Sequence, residues 1–204
     1  MSNLDKLITQ FEKFPGIGAR QARRFAFHVL TMPKESTAEL ASLITSIQST
    51  VTVCDSCKRF FATGYNDTLC GICSDGSRDW SKLMVVSADS DITAIERAGT
   101  YDGLYFVLGG MVPLLDTKEQ STLRGGALKS LVETRLSDGL EEVILAFAVN
   151  PDGENTGRFI ESILKDVPTV EQLKISYLGR GLSTGSELEY ADPETIKNAW
   201  QNRS

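Results

Sequence analysis

Four cysteines stand in two tight pairs, Cys54-x-x-Cys57 and Cys70-x-x-Cys73, with twelve residues between the pairs. Two residues between thiolates let one knuckle turn aim both sulfurs at a single point. Two such knuckles make the closed tetrahedral S4 set that zinc prefers in structural sites. No other cysteine competes for the pairing. Two disulfides, or four unrelated buried thiols, are the plainer alternatives, and both fit the paired spacing badly. The reading is a structural zinc site on Cys54, Cys57, Cys70 and Cys73. It separates a helical segment before it from an alternating strand–helix segment after it.

The second group with chemical potential is cationic. Leu4, Leu7, Ile8, Phe11 and Phe14 form a helical stripe that Pro15-Gly16-Ile17-Gly18 breaks, since two glycines flanking one apolar residue suit a tight turn. A helix opening beyond Gly16 and Gly18 has backbone N–H groups without intrahelical partners, an anion site that the helix dipole strengthens. Arg20, Arg23 and Arg24 fall in its first turns, placed to meet phosphate oxygens in contacts that position a backbone and read no sequence. On spacing alone, an ordinary helical hairpin with a solvated arginine face explains these residues equally well.

The elements around these groups follow from periodicity. Ala22, Phe25, Ala26, Val29 and Leu30 share a face of the second helix. After Pro33, Ser36-x-x-Glu39 reads as a capping box that opens a third helix, with Leu40, Leu43, Ile44 and Ile47 inward. From Lys82 onward, apolar runs at 83–86, 104–108, 143–149 and 173–178 read as strands. Between them run stripes of Ile92 and Ile95, of Leu123, Leu128, Leu131 and Val132, and of Phe159, Ile160, Ile163 and Leu164. Strands separated by helices imply a mostly parallel sheet covered on both faces. A Gly- and Ser-rich tail then leads to one helix from Pro193. The fold class expected is α+β and multi-domain.

Charge and hydropathy bound the function. Hydrophobic residues make up 41% of 204, and net charge is −6 with a pI near 4.9, which argues against a strong whole-surface nucleic-acid binder. The distribution qualifies this: residues 1–53 carry six Lys/Arg against four Asp/Glu, and residues 81–204 twelve against nineteen. Phosphate contacts should therefore come from the N-terminal part and be salt-sensitive. The longest apolar run, Val143 to Val149, is far short of the ~20 residues that span a bilayer. The first residues lack a basic patch followed by an apolar stretch, so the expectation is a soluble intracellular protein, not a membrane one, in which thiols stay reduced. The Asn66-Asp67-Thr68 and Asn202-Arg203-Ser204 sequons are then chance matches.

The stretch Phe14-Pro-Gly-Ile-Gly-Ala-Arg-Gln-Ala-Arg-Arg-Phe-Ala-Phe-His28 closely resembles the helix-hairpin-helix of the RecR family of bacterial recombination mediators. So does Cys70-Gly-Ile-Cys-Ser-Asp-Gly-Ser-Arg-Asp79. Tyr101-Asp-Gly-Leu-Tyr-Phe-Val-Leu-Gly-Gly110 is similar to the stretch that family places on its second Toprim strand, and Gly181, Gly185 and Leu188-Glu-Tyr-Ala-Asp192 to its C-terminal segment. The matches run in family order over almost the whole chain. The resemblance implies a helix-hairpin-helix region at 1–53, a four-cysteine zinc finger at 54–79, a Toprim domain at 80–178 and a C-terminal segment at 179–204, Walker B-like in the family. It implies a non-catalytic DNA clamp that assembles as a dimer or tetrameric ring. Such a clamp acts with RecO and RecF to help RecA replace single-strand-binding protein, in the bacterial cytoplasm at the nucleoid. Family hairpins carry basic residues at the positions of Arg20 and Arg24; Arg23 is added by helical geometry.

Toprim enzymes hold magnesium with a Glu after the first strand and an Asp-x-Asp after the third. Here Ser87 stands at the first position and Asn150-Pro-Asp152-Gly-Glu154 at the second, so only Asp152 matches. Asp89-Ser-Asp91 follows the wrong strand, and Asp89 reads as a helix cap. Ser87, Asp91, Asn150 and Asp152 are thus a degenerate acidic site at which magnesium is not expected. A Mg2+-dependent nuclease or topoisomerase-like enzyme is the alternative reading. Tyr177 in place of an Arg, Ser183 in place of a Pro, and a contracted 150s loop mark a divergent member. Gly181-Leu-Ser183-Thr-Gly185 satisfies the nucleophile-elbow pattern, yet the one histidine, His28, precedes the serine. No P-loop appears. His28 reads as a packed or hydrogen-bonded helix residue, and Trp80 and Trp200 as packing residues.

Overall fold

Ser2 opens the first helix: its hydroxyl accepts from Asp5 N (3.2 Å), and the Asp5 carboxylate accepts from Ser2 N (2.8 Å), a reciprocal cap. Helix α1 spans Asn3–Glu12, α2 Ala19–Thr31 and α3 Lys34–Thr50. The computed structural model describes residues 1–62, 64, 67–114, 123–168, 173–179, 189 and 193–201, and they divide into two units, Met1–Val51 and Thr52–Ser204.

In the first unit α1 and α2 pack as a hairpin. Ala22 and Ala26 are fully buried, and small residues there let the helices approach closely. Phe11 meets Phe14 and Phe25 edge-on, each at 5.9 Å between centroids. Two expectations fail for α3. The helix starts from Pro33, whose fixed φ suits a helix entry, so Ser36 lies inside the first turn and makes no capping box. Its apolar stripe is not inward either: Leu40, Leu43, Ile44 and Ile47 are 38 to 64% exposed. A three-helix segment this short has too little partner surface to cover every apolar face.

Next along the chain comes a two-stranded sheet of β1 (Val51–Val53), which starts at the last residue of the first unit, and β2 (Phe60–Ala62). Then follow β3 (Asp79–Val86), α4 (Asp89–Ala98), β4 (Gly103–Val107), α5 (Gly125–Ser137), β5 (Glu142–Ala146), α6 (Pro151–Leu164), β6 (Lys174–Tyr177) and α7 (Pro193–Gln201). The four-stranded sheet runs β4-β3-β5-β6, every pair parallel, with Met84 opposite both Tyr105 and Ile144. Side-chain alternation splits the core. Leu83, Val85, Phe106, Val143 and Leu145 face Leu128, Val132, Ile160 and Leu164 of α5 and α6. Met84, Val86, Tyr105 and Val107 face Ile92 of α4 on the other side.

Boundaries shift where burial outruns pairing. The apolar run 143–149 pairs only to Ala146, and Val149 is 60% exposed in the loop before α6. Leu123 lies outside α5. The Gly181–Gly185 elbow pattern, Leu188, Tyr190–Asp192, Asn66 and the terminal sequon lie outside the described residues. Among the described residues no helix is long and apolar enough to cross a membrane.

Candidate metal centre and nucleic-acid interface

Cys54 closes β1, and the chain turns back at once: Lys58 N donates to Cys54 O (3.0 Å) and Cys54 N to Arg59 O (2.9 Å). Lys58 takes a left-handed conformation, φ 63°, to complete the knuckle. The second knuckle repeats the device, Ser74 N donating to Cys70 O (3.0 Å). The two are joined by Asp55 N to Thr68 O (2.9 Å) and by Cys70 N to the Cys54 sulfur (3.4 Å).

All four cysteines are buried and free of disulfides, and their sulfurs lie within 4.8 Å of one another. Cys57 and Cys70 sulfurs are 3.6 Å apart. At a Zn–S distance near 2.3 Å, a regular tetrahedron has an edge of about 3.8 Å; a disulfide would need about 2 Å. The donor set thus fits a tetrahedral thiophilic cation. Hydrogen bonds from Cys57 and then Cys73 push the Cys70 thiol far down, while the same contact with Cys70 drives Cys57 far up. Cys73 has a lowering contact with Cys57, outweighed by Cys70 and by burial, and is pushed up to about 12. The raised Cys57 and Cys73 thiols resist ionisation beside Cys70, a conflict that a bound dication would remove.

The knuckles are fused to the sheet. Val107 N donates to Cys57 O (2.8 Å), and Arg124 Nη1 donates to Lys58 O (2.7 Å) and Val107 O (3.2 Å). Arg135 reaches Ser56 from α5. Sequence reasoning singled out the four cysteines that lie together here and missed these arginines, because nothing in local spacing marks them. Trp80, expected as a packing residue, packs beneath the Arg135 guanidinium while 41% exposed, and Trp200 is 68% exposed.

In the hairpin, Gly16 has φ 75°, the left-handed region that disfavours a side chain. Gly18 is the N-cap of α2 and supplies no side chain to its orphan amides. Gln21 N and Ala22 N bond to Gly18 O, each at 3.0 Å. Arg20, Arg23 and Arg24 are exposed, and Arg24 Nη1 is steadied by Gln21 Oε1 (3.2 Å). Arg23 and Arg24 line an open groove of about 700 Å³ with Gln21, Phe25, Phe27, His28 and Thr31; Arg20 stands outside it. Of the two roles expected for His28, packed or hydrogen-bonded, the packed one is not met: it is exposed on that face, beside the solvent-facing arginines one turn beyond Arg24 rather than with Ala22 and Ala26.

At the carboxyl ends of β3 and β5, the degenerate acidic positions are internally engaged. Ser87 Oγ (2.7 Å) and Ala88 N (2.9 Å) both donate to Asp91, which therefore caps α4. Asp89, the expected cap, instead accepts from Phe60 N at 2.7 Å, because Ala88 is the N-cap and Asp89 already lies in the helix. Asn150 Oδ1 accepts from Gly153 N (2.8 Å), and Asp152 from Leu114 N (2.9 Å). A Cβ on Gly153 would lie 1.9 Å from Ala148 O, so the first turn of α6 requires glycine here. Among the described residues, the cysteine cluster is the group of three or more His, Cys, Asp or Glu donors close enough to share a metal.

Comparison with known proteins places these parts in one frame. Residues 4–47 match the family model described as RecR, helix-hairpin-helix, residues 81–178 the Toprim domain, and residues 181–204 the model described as RecR, C-terminal. The chain is 36% identical to Recombination protein RecR of Streptococcus thermophilus over 98% of this chain and 95% of that one. It is 37% identical to the protein so named from Lactobacillus delbrueckii subsp. bulgaricus, with the same coverage. For that of Staphylococcus aureus the values are 36%, 98% and 96%.

Proposed function

The chain belongs to the RecR family, and from that premise we propose that it is a non-catalytic DNA-binding clamp of recombinational repair. The observation that carries this reading is the α2 entry: a left-handed Gly16, an N-cap without a side chain, and three exposed arginines in the next turns. Orphan amides and guanidiniums together suit phosphate oxygens. The contacts belong to Arg20, Arg23 and Arg24, with the backbone at Gly16 and Gly18. The working domains are 1–53 for the hairpin, 54–79 for the zinc finger, 80–178 for Toprim and 179–204 for the C-terminal segment.

Cys54, Cys57, Cys70 and Cys73 hold zinc in a structural role; its affinity in small modules, ~10–16 kcal/mol, is comparable with the stability of a whole domain. The exposed stripe Leu40, Leu43, Ile44 and Ile47 supports self-assembly, dimer to tetrameric ring, which would bring several weak basic patches to bear on one DNA. RecO and RecF are the proposed partners, with loading of RecA on coated single strands as the outcome, in the cytoplasm at the nucleoid.

The engagement of Asp91 and Asp152 by backbone and hydroxyl donors supports a site that does not cut DNA. Incubation of nicked and single-stranded DNA with the protein and Mg2+ tests this. The expected result is intact DNA in both. Strand cleavage abolished by Asp152→Ala would replace this reading with that of a Toprim nuclease.

A further inference from the structure

Two buried side-chain nitrogens among the described residues lack a hydrogen-bond partner, Arg59 Nε and Arg135 Nη1. Both arginines adjoin the four-cysteine cluster, but their settings differ. Arg59 directly follows the first knuckle and lies within electrostatic reach of Glu96. Arg135, like Arg59, enters none of the ion pairs among the described residues. It projects from α5, is only 8% exposed, and donates Nη2 to Ser56 Oγ at 3.3 Å. Its guanidinium lies 4.3 Å from the centroid of the Trp80 ring. Ser56 sits inside the Cys54-x-x-Cys57 knuckle. A permanent cation buried with one long hydrogen bond, an aromatic face and an idle N–H is costly unless negative charge lies close by.

A dication bound by four thiolates leaves a net charge of −2, also buried. We infer that Arg135 is the counter-cation of the loaded metal centre, held over the knuckle by Trp80, so that α5 of the sheet domain holds the zinc in place without touching it. This role explains both halves of the observation. The arginine is buried because the centre needs a cation, and it lacks a carboxylate because the thiolates supply the negative charge. It rests on the zinc reading above and extends it to two residues outside the ligand set. Outer-shell partners of this kind typically change metal affinity ~10–100-fold.

The test uses the full zinc-loaded chain, with a chromophoric chelator competing for zinc. Arg135→Met and Arg135→Gln should lose zinc about 10- to 100-fold more readily than the wild type. Arg135→Lys, which keeps the charge but not the planar fork, should stay closer to the wild type than either. Thermal midpoints separate electrostatics from packing: Arg135→Met should lower the midpoint in excess zinc and not in excess chelator. Equal loss of midpoint in both conditions would make Arg135 a packing residue and overturn the inference, as would Arg135→Lys behaving like Arg135→Met. If Arg135→Met fails to fold, the Gln and Lys variants carry the same comparison. A wild-type chain that purifies without zinc, and takes none up, would overturn the zinc reading itself, a result distinct from either.

Discussion

Arg78 shows how one residue links the end of the four-cysteine module to the sheet. Its guanidinium is 16% exposed and pairs with both oxygens of Glu96 on α4, one of them at 2.9 Å, and Tyr105 also donates to that carboxylate at 2.6 Å. The Arg78 hydrogen bond, against a smaller opposing effect of burial, holds the Glu96 carboxyl below its ordinary 4.5. A carboxyl depressed on folding contributes stability that is present above its unfolded pKa and lost as pH falls through the folded one. The stability gap between wild type and Glu96→Gln, measured by urea denaturation, should therefore be open at neutral pH and close on acidification below about pH 4.5. A gap independent of pH would contradict this account. At this scale the sequence was most legible where residue type alone specifies the chemistry. The cysteines announce themselves by type and spacing, whereas the contacts of Arg78 with Glu96, Arg124 with Lys58 and Arg135 with Ser56 form through tertiary approach, 18 to 79 positions away.

At the scale of elements, periodicity located the helices and strands and misjudged which faces are covered. The strand runs alternate between two cores as expected, because both faces of this parallel sheet are packed against helices. The stripe on α3 has the same helical spacing as that of α6. Yet Ile160 and Leu164 of α6 are buried while Ile44 and Ile47 of α3 are 64% and 57% exposed. Spacing encodes a sticky face and does not name what covers it. Proline set the start of α3 ahead of the Ser36 signal for a similar reason: two start signals compete, and the backbone constraint acts first. With self-assembly through this face, Ile44→Glu with Ile47→Glu should reduce the mass seen by light scattering to that of one chain while leaving the zinc content intact. Unchanged mass would assign the assembly to another surface.

For the whole molecule the difficulty is charge. A chain of net −6 repels a polyanion at long range, and three arginines on one hairpin give few phosphate contacts. On the proposed self-assembly, several copies facing one nucleic acid would gain through effective concentration what a single copy lacks. At the degenerate Toprim position, Ser87 and Asn150, read from sequence as lost metal ligands, serve in the structure as a hydroxyl donor to Asp91 and a helix cap. That is a local role that only the folded loop makes visible.

The most direct measurement of the central claim is DNA affinity as a function of salt for wild type and for Arg20→Ala with Arg24→Ala. Each phosphate contact contributes ~0.7 (single strand) to ~0.9 (duplex) to the slope of log affinity against log salt. The double variant should bind more weakly at low salt, with a slope shallower by about 1.4 to 1.8 per engaged subunit. An identical slope in the two proteins would remove the hairpin arginines from the interface, and the clamp reading with them.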